Sequence, residues 1–259
     1  MSTNSQQSNK PLAAIILAAG KGTRMDSELP KVLHEVAGKP MVQWVVDAVR
    51  EAGAQRVILV VGQGATLVEQ QIRGCEYVLQ KPQLGTGHAV LVCKEALADF
   101  DGNIIVLGGD GPLLRASTIH DMVSLQEESG ASATLATSII PDPTGYGRIV
   151  RDEQNKFSEI IEHKNATKEQ LSIHEVYPSY AVFNSDILWV MLENLKPNRL
   201  TNEYYLTEIP RMLKNKGNNV EVVNAVAPED ILSINTAEQL AEVETVLLAR
   251  QQTEVEPTA

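Results

Sequence analysis

From residue 11 to about residue 130, short apolar runs alternate with stretches of helical spacing, and glycine-rich segments follow several of the runs. "PLAAIIL" (11–17), "RVILVVG" (56–62), "YVLQ" (77–80) and "NIIVLGGD" (103–110) are too short for buried helices and read as strands. Between them "PMVQWVVDAVREAGA" (40–54), "ATLVEQQIR" (65–73) and "GHAVLVCKEALADF" (87–100) carry the helical period, with Gly53 placed to cap the first. Strand and helix in this alternation, joined by short links, predict a doubly wound, mostly parallel α/β sheet of Rossmann-like type. Ligands then sit beyond the carboxyl ends of the strands. "LAAGKGTR", "QKPQLGTG" and "GGDGPLL" occupy those places.

After about residue 131 the pattern changes. "ASATLATSII", "GRIVRD", "FSEIIEHK" and "HEVYPSYAVF" are strand-like stretches divided by turn residues, which predicts a mixed or antiparallel extension of the same sheet. Helical spacing returns in "EYYLTEIPRMLKNKG" and "TAEQLAEVETVLLARQQ", with a strand, "NVEVVNAV", between them. A length of 259 residues suits one large domain. We expect it over 11–250, with a first half at about 11–130, a second at about 131–235 and a terminal helix at about 236–250. Polar tails are expected at 1–10 and 251–259.

Composition narrows the function. The residues are 43% hydrophobic but only 4% aromatic, the aliphatic balance of strands covered by helices on both faces. A net charge of -11 argues against long-range attraction to nucleic acid or an anionic membrane, while a local cluster of donors still accommodates a small anion. The start lacks an apolar signal region and no stretch approaches the ~20 apolar residues of a membrane span, so a cytoplasmic protein is expected. Cys75 and Cys93 have no metal-ligand spacing and read as buried thiols in a reducing compartment.

The loop that follows the first strand, "LAAGKGTRMDSELPK" (17–31), holds two glycines and three Lys/Arg charges. A strand running into such a loop presents free backbone N–H groups to an anion, as a phosphate cradle does. Gly20 and Gly22 permit close approach, and Arg24 and Lys31 add charge. It is neither a Walker A loop, because Lys21 is followed by glycine, nor a dinucleotide fingerprint, because Met25 stands where glycine or alanine is needed.

Leu-Ala-Ala-Gly-x-Gly-Thr-Arg-Met at 17–25, followed by Pro30-Lys31, resembles the signature of sugar-phosphate nucleotidyltransferases. "PKVLHEVAGKPMVQWV" narrows the resemblance to the uridylyltransferase half of the bacterial enzymes that make UDP-N-acetylglucosamine. "VLQKPQLGTGHA", "GGDGPLL", "DPTGYGRIVR", "IIEHKNAT" and "NEYYLTEI" follow in the same order, covering nearly the whole expected domain. The resemblance implies transfer of UMP from UTP to a sugar 1-phosphate, most closely N-acetylglucosamine 1-phosphate, with Mg²⁺ as cofactor.

Site residues follow from the same resemblance. Leu17, Ala18, Ala19, Gly20, Gly22 and Thr23 would line the nucleotide pocket, with Gln80, Gln83, Gly85 and Thr86 reading the base and supporting the nucleoside. A glutamine amide offers both the donor and the acceptor that uracil requires. Arg24 and Lys31 would act as catalytic charges on the phosphates, and Asp110 and Asn235 would ligate the metal. On their own, Gln80 reads as a strand end, Arg24 and Lys31 as surface charges, and Asn235 as an N-cap, a role compatible with ligation. The attacking phosphate is already anionic, so no base is required and none of the five histidines is assigned one. His88 and His163, inside motifs, read as hydrogen-bonding residues.

Gly147 and Glu162 match the sugar contacts, but the chain departs from the family nearby. Where relatives carry Glu-Ile/Val-Asn-Thr-Gly, it reads Glu175-Val176-Tyr177-Pro178-Ser179. Tyr177 replaces a hydrogen-bonding asparagine, and Pro178 has no backbone donor. This leaves open another sugar phosphate or nucleotide, or a non-catalytic sensor of sugar nucleotides. Ala237 stands where close relatives usually carry a basic residue. No hexapeptide repeat of the family's acetyltransferase and trimerisation half is present, so neither acetyl transfer nor the trimer is expected.

Overall fold

The computed structural model describes residues 10–20, 22–25 and 27–255. The first half runs through β1 (Leu12–Leu17), a small hairpin of β2 (Glu35–Val36) and β3 (Lys39–Pro40), α1 (Met41–Glu51), β4 (Arg56–Val61), α2 (Ala65–Gln71), β5 (Glu76–Leu79), α3 (Thr86–Leu91), β6 (Asn103–Gly108) and α4 (Ala116–Ser129). The second continues with β7 (Ala133–Ala136), β8 (Ser138–Ile139), β9 (Gly147–Arg151), β10 (Phe157–Ile161), α5 (Lys168–Leu171), β11 (Glu175–Tyr177), β12 (Ala181–Asn184), α6 (Ser185–Asn194), α7 (Glu208–Asn215), β13 (Val220–Val223) and α8 (Ala237–Val255).

The main sheet has the order β13-β7-β12-β6-β1-β4-β5, parallel except for β12. Alternating side chains of β1 enter different cores. Ala14 and Ile16 pack with α1, α4 and α8, whereas Ala13 and Ile15 pack with α3, α6 and α7. Both faces are therefore apolar, as the unbroken "LAAIIL" demands; each buried isoleucine contributes roughly 1.5–3 kcal/mol. From β1 the chain steps to β4 and β5, then returns to β6 on the other side of β1. That reversal opens a crevice at the carboxyl ends of β1 and β6.

Several expectations are corrected. The second half does not simply widen the first sheet. β7, β12 and β13 do join it, but β8 to β11 form a separate antiparallel sheet of order β10-β9-β11-β8. The split falls at Thr137, whose N–H bonds Val223 O (2.8 Å) while its hydroxyl reaches Glu175 (3.0 Å). The helix expected over 87–100 stops at Leu91 and continues as tight turns, with Cys93 N bonded to Val90 O and Lys94 N to Leu91 O. Val90, Cys93 and Leu97 along this stretch are all at 0% exposure. Cys75 is half-buried, with Arg50 4.0 Å from its sulfur.

The terminal helix runs to Val255, beyond the expected end at 250. Arg250 anchors it, donating to Leu113 O (3.0 Å) and to the Asp230 carboxylate. The sequence pattern also gave no sign of α6, whose Leu188, Met191 and Leu192 cover the β12 side of the sheet.

Candidate active site

Two loops meet in the crevice. Gly109 N, just past β6, bonds Leu17 O at the end of β1 (3.0 Å). Gly22 has φ +61, and a Cβ there would lie 2.6 Å from Lys31 Cβ, so the loop folds back on Lys31 only because residue 22 is glycine. The buried Val32 and Leu33 then pin the short 3-10 turn Lys31–Leu33. Lys21 and the Thr23 side chain lie outside the described residues.

Lys31 Nζ lies 2.6 Å from Asp110 Oδ2 and 2.7 Å from Asn235 Oδ1, and Arg24 Nη2 lies 2.7 Å from the same Asn235 oxygen. Four residues named from the sequence thus meet, although Asn235 stands 211 positions after Arg24. Ile234 N donates to Asp110 O (2.9 Å), which brings the distant segment to the end of β6. Asn235 is not the cap of α8. Thr236 Oγ1 accepts from Gln239 N (3.3 Å), while Gln239 Oε1 accepts from Asn235 N (2.8 Å). Thr236 takes over the capping, which leaves the Asn235 side-chain oxygen turned towards the cations.

Two hard oxygens facing one ammonium form the kind of donor pair that suits a divalent cation completed by phosphate and water. Among the described residues no group of three His, Cys, Asp or Glu side chains gathers to hold a metal by itself.

On the β4 side of β1, the Gln83 amide donates to Ala19 O. A Cβ on Gly62 would come 2.7 Å from that same carbonyl, so the close approach here requires glycine, a residue passed over in the sequence as a strand end. Gln80 is 5% exposed, with its amide nitrogen turned into its own loop, 3.0 Å from Gly85 O and 3.2 Å from His88 Nδ1. Burial lowers the His88 pKa. Thr86 Oγ1 accepts from Leu206 N (3.0 Å), and Gly85 (φ +99) packs where a Cβ would meet Tyr204 O at 2.7 Å. Gln80, Gly85 and Thr86 here brace the loop against the "NEYYLTEI" segment.

A cavity of about 220 Å³ opens beside Asp110 and reaches Gly147, Glu162 and Tyr177. A second, of about 230 Å³, shares Glu162, Tyr177 and Ser179 and extends to Leu17 and Thr86. Glu162 accepts from Thr207 Oγ1 (3.2 Å). Burial first, then the Glu162 charge, raises the Tyr177 pKa and keeps its phenol protonated. Ser179 has φ +71, a conformation that favours the glycine the resemblance places there. His163 Nδ1 lies 3.2 Å from Gly145 N and 3.3 Å from Arg148 Nη2, joining the loop before Gly147 to the one carrying Glu162.

Residues 14–167, more than half of the chain, match the MobA-like NTP transferase domain. The chain belongs to this family. The match takes in the β1 loop, Gln80 to Thr86, Asp110, Gly147 and Glu162, and ends before Tyr177 and Asn235. The bifunctional protein GlmU of Halalkalibacterium halodurans is 44% identical over 92% of the chain, and that of Clostridium novyi 42% over 92%. The chain spans about half the length of these relatives, 52% of each. Apo UDP-glucose pyrophosphorylase has the same fold, with TM-score 0.73 at 19% identity, covering 93% of this chain and 99% of that one. Its complex with UDP-glucose gives 0.70 at 18%, with the same coverage. As a member of an NTP transferase family the chain is a nucleotidyltransferase. Among the described residues no helix is long and apolar enough to cross a membrane.

Proposed function

We propose that the chain transfers UMP from UTP to a sugar 1-phosphate, N-acetylglucosamine 1-phosphate in first place, and releases pyrophosphate. The observation that carries this reading is the meeting of Arg24, Lys31, Asp110 and Asn235 where the glycine-rich loop adjoins the cavity. A phosphate oxygen of the sugar 1-phosphate attacks the α-phosphorus of UTP in line. The bond from that phosphorus to the β-phosphate oxygen breaks, and its electron pair leaves with pyrophosphate.

The chain's own work is positional and electrostatic. Leu17 to Gly20, with Gln83 over Ala19, hold the nucleoside; Lys31 and Arg24 offset the charge that builds on the phosphates; Gly147, Glu162 and Tyr177 seat the sugar. Asp110 and Asn235 would hold Mg²⁺, which supplies further charge neutralisation to the triphosphate. We read residues 11–250 as one nucleotidyltransferase domain, acting in the cytoplasm, where nucleoside triphosphates are available.

The test is pyrophosphate release with UTP, Mg²⁺ and, in parallel, the 1-phosphates of N-acetylglucosamine, glucose, galactose and N-acetylgalactosamine. Preference for the first supports the full reading. Turnover with another sugar alone moves the specificity to Tyr177-Pro178-Ser179, and silence with all four overturns it in favour of a different substrate or a sugar-nucleotide sensor.

A further inference from the structure

The cavity beside Asp110 is lined by two phenols buried without a partner. Tyr177 and Tyr180 are 5% and 3% exposed, and neither hydroxyl has a hydrogen-bond partner among the described residues. Buried tyrosine hydroxyls ordinarily find one. Among the described residues the sealed orphan polar atoms are His34 Nε2, Gln126 Oε1, Thr134 Oγ1, Ser138 Oγ and Arg148 Nε. The two phenol oxygens are not among those sealed atoms, and both tyrosines line the cavity.

The phenols face different charges. Tyr180 stands just before β12, its carbonyl fixed by Ala136 N (3.1 Å), and its hydroxyl rests against Gly111, where a Cβ would come within 2.5 Å. Asp110 and Tyr146 are the groups whose charges reach it. The Tyr177 hydroxyl feels Glu162 instead. Burial, the leading cause, raises both pKa values, so each phenol stays neutral and offers one proton. The cavity therefore has two ends, one at Asp110 and Tyr180 and one at Glu162 and Tyr177.

This polarity fits a sugar 1-phosphate in one orientation. Its phosphate must lie beside Asp110, where Lys31 and Arg24 gather, and its hydroxyls then extend towards Glu162. We propose that Tyr180 is a substrate-binding residue whose hydroxyl donates to the phosphate of the sugar 1-phosphate, while the Tyr177 hydroxyl reads a group on the sugar ring. The inference rests on the uridylyltransferase reading and adds Tyr180, a residue the sequence motifs did not single out.

The test compares Tyr180→Phe and Tyr177→Phe with the wild-type chain across the same four sugar 1-phosphates. Tyr180→Phe loses one hydrogen bond to a charged group, so KM for every sugar 1-phosphate used should rise about tenfold. KM for UTP should hold. The melting temperature of the free protein should not fall, because no bond within the protein is lost. Gly111→Ala, which displaces the same hydroxyl, should reproduce the KM effect. Tyr177→Phe should change the ratio between sugars. An active wild type with Tyr180→Phe unchanged in KM, or with its melting temperature lowered by a lost internal bond, overturns this inference alone. A wild type silent with all four sugars overturns the reading beneath it and the inference together.

Discussion

The Lys31 ammonium lies 2.6 Å from the Asp110 carboxylate, so a cation from the loop after β1 closes on the acid at the end of β6. The two strands are adjacent and parallel, with Leu17 paired to Gly108, and that pairing sets the loops face to face. If the pair handles phosphate and metal, each partner is needed for a different reason. Asp110→Ala should abolish metal-dependent turnover. Lys31→Met should lower kcat/KM by about 100-fold or more, on the scale of losing a charge aimed at the transition state. Both variants should keep the wild-type circular dichroism spectrum. Near-normal turnover of Asp110→Ala would remove it from the metal site.

Asp230 is 3% exposed and accepts from Arg115, at the start of α4, and from Arg250, in α8. It stands just before the segment that brings Asn235 to Asp110. Asp230→Ala would remove the buried carboxylate that joins two guanidinium groups, at a cost of about 3 kcal/mol given that both arginines keep other contacts and some exposure. Urea denaturation measures this directly. A loss under about 1 kcal/mol would show that solvent replaces the carboxylate.

Gly62→Ala places a methyl group against the Ala19 carbonyl and the Gln83 amide. Backbone cannot yield as a side-chain tip does, so the nucleoside pocket should deform. KM for UTP should rise about tenfold while KM for the sugar phosphate changes little, on the scale of a misplaced binding group. Equal changes in both constants would mean general destabilisation.

Alkaline pH should weaken the fold. Burial pushes the Cys93 thiol up to about 12. A group with a raised folded pKa contributes stability that is complete below its unfolded pKa and declines as pH rises through the folded value. The loss should therefore begin near pH ~9 and proceed at about 1.4 kcal/mol per pH unit for this one proton. Tyr177 and Tyr180 act with the same sign. Melting curves from pH 8 to 11 should show the decline, and Cys93→Ala, though less stable at pH 8, should fall less steeply.

Ser179→Gly tests the departure from the family. A left-handed serine costs roughly 1–2 kcal/mol and glycine loses roughly 0.5–1 kcal/mol more entropy on folding, so the variant should gain about 0.5–1 kcal/mol. A lower melting temperature would mean that the serine hydroxyl makes a compensating contact.

Much of this was written locally. The strands of the first half, the glycine-rich loop and the charged residues after β1 and β6 are visible because a fully buried strand must be apolar throughout and a phosphate loop needs glycine at close approaches. Gly22 shows how far that goes: its presence was evident, but its reason, the Lys31 backbone a few ångströms away, was not.

Other features depend on partners far along the chain. Helical spacing over 87–100 did not show that Cys93 and Lys94 would bond three residues back instead of four, in a stretch that packs with α6 and α7 on one face of the sheet. Nor did "HEVYPSYAVF" show that its strands would divide between two sheets at Pro178 to Tyr180, leaving two tyrosines to line one cavity.

From the sequence alone came the doubly wound class, the family and the residue types of the site, because strand period, loop glycines and motif charges act over a few neighbours. Tertiary structure alone decided that Thr236 and not Asn235 caps α8, that the Asn235 oxygen meets Lys31 and Arg24, and that Tyr180 borders Asp110. Those outcomes rest on contacts between segments far apart in the chain, where each side chain's role depends on which partners the fold brings beside it.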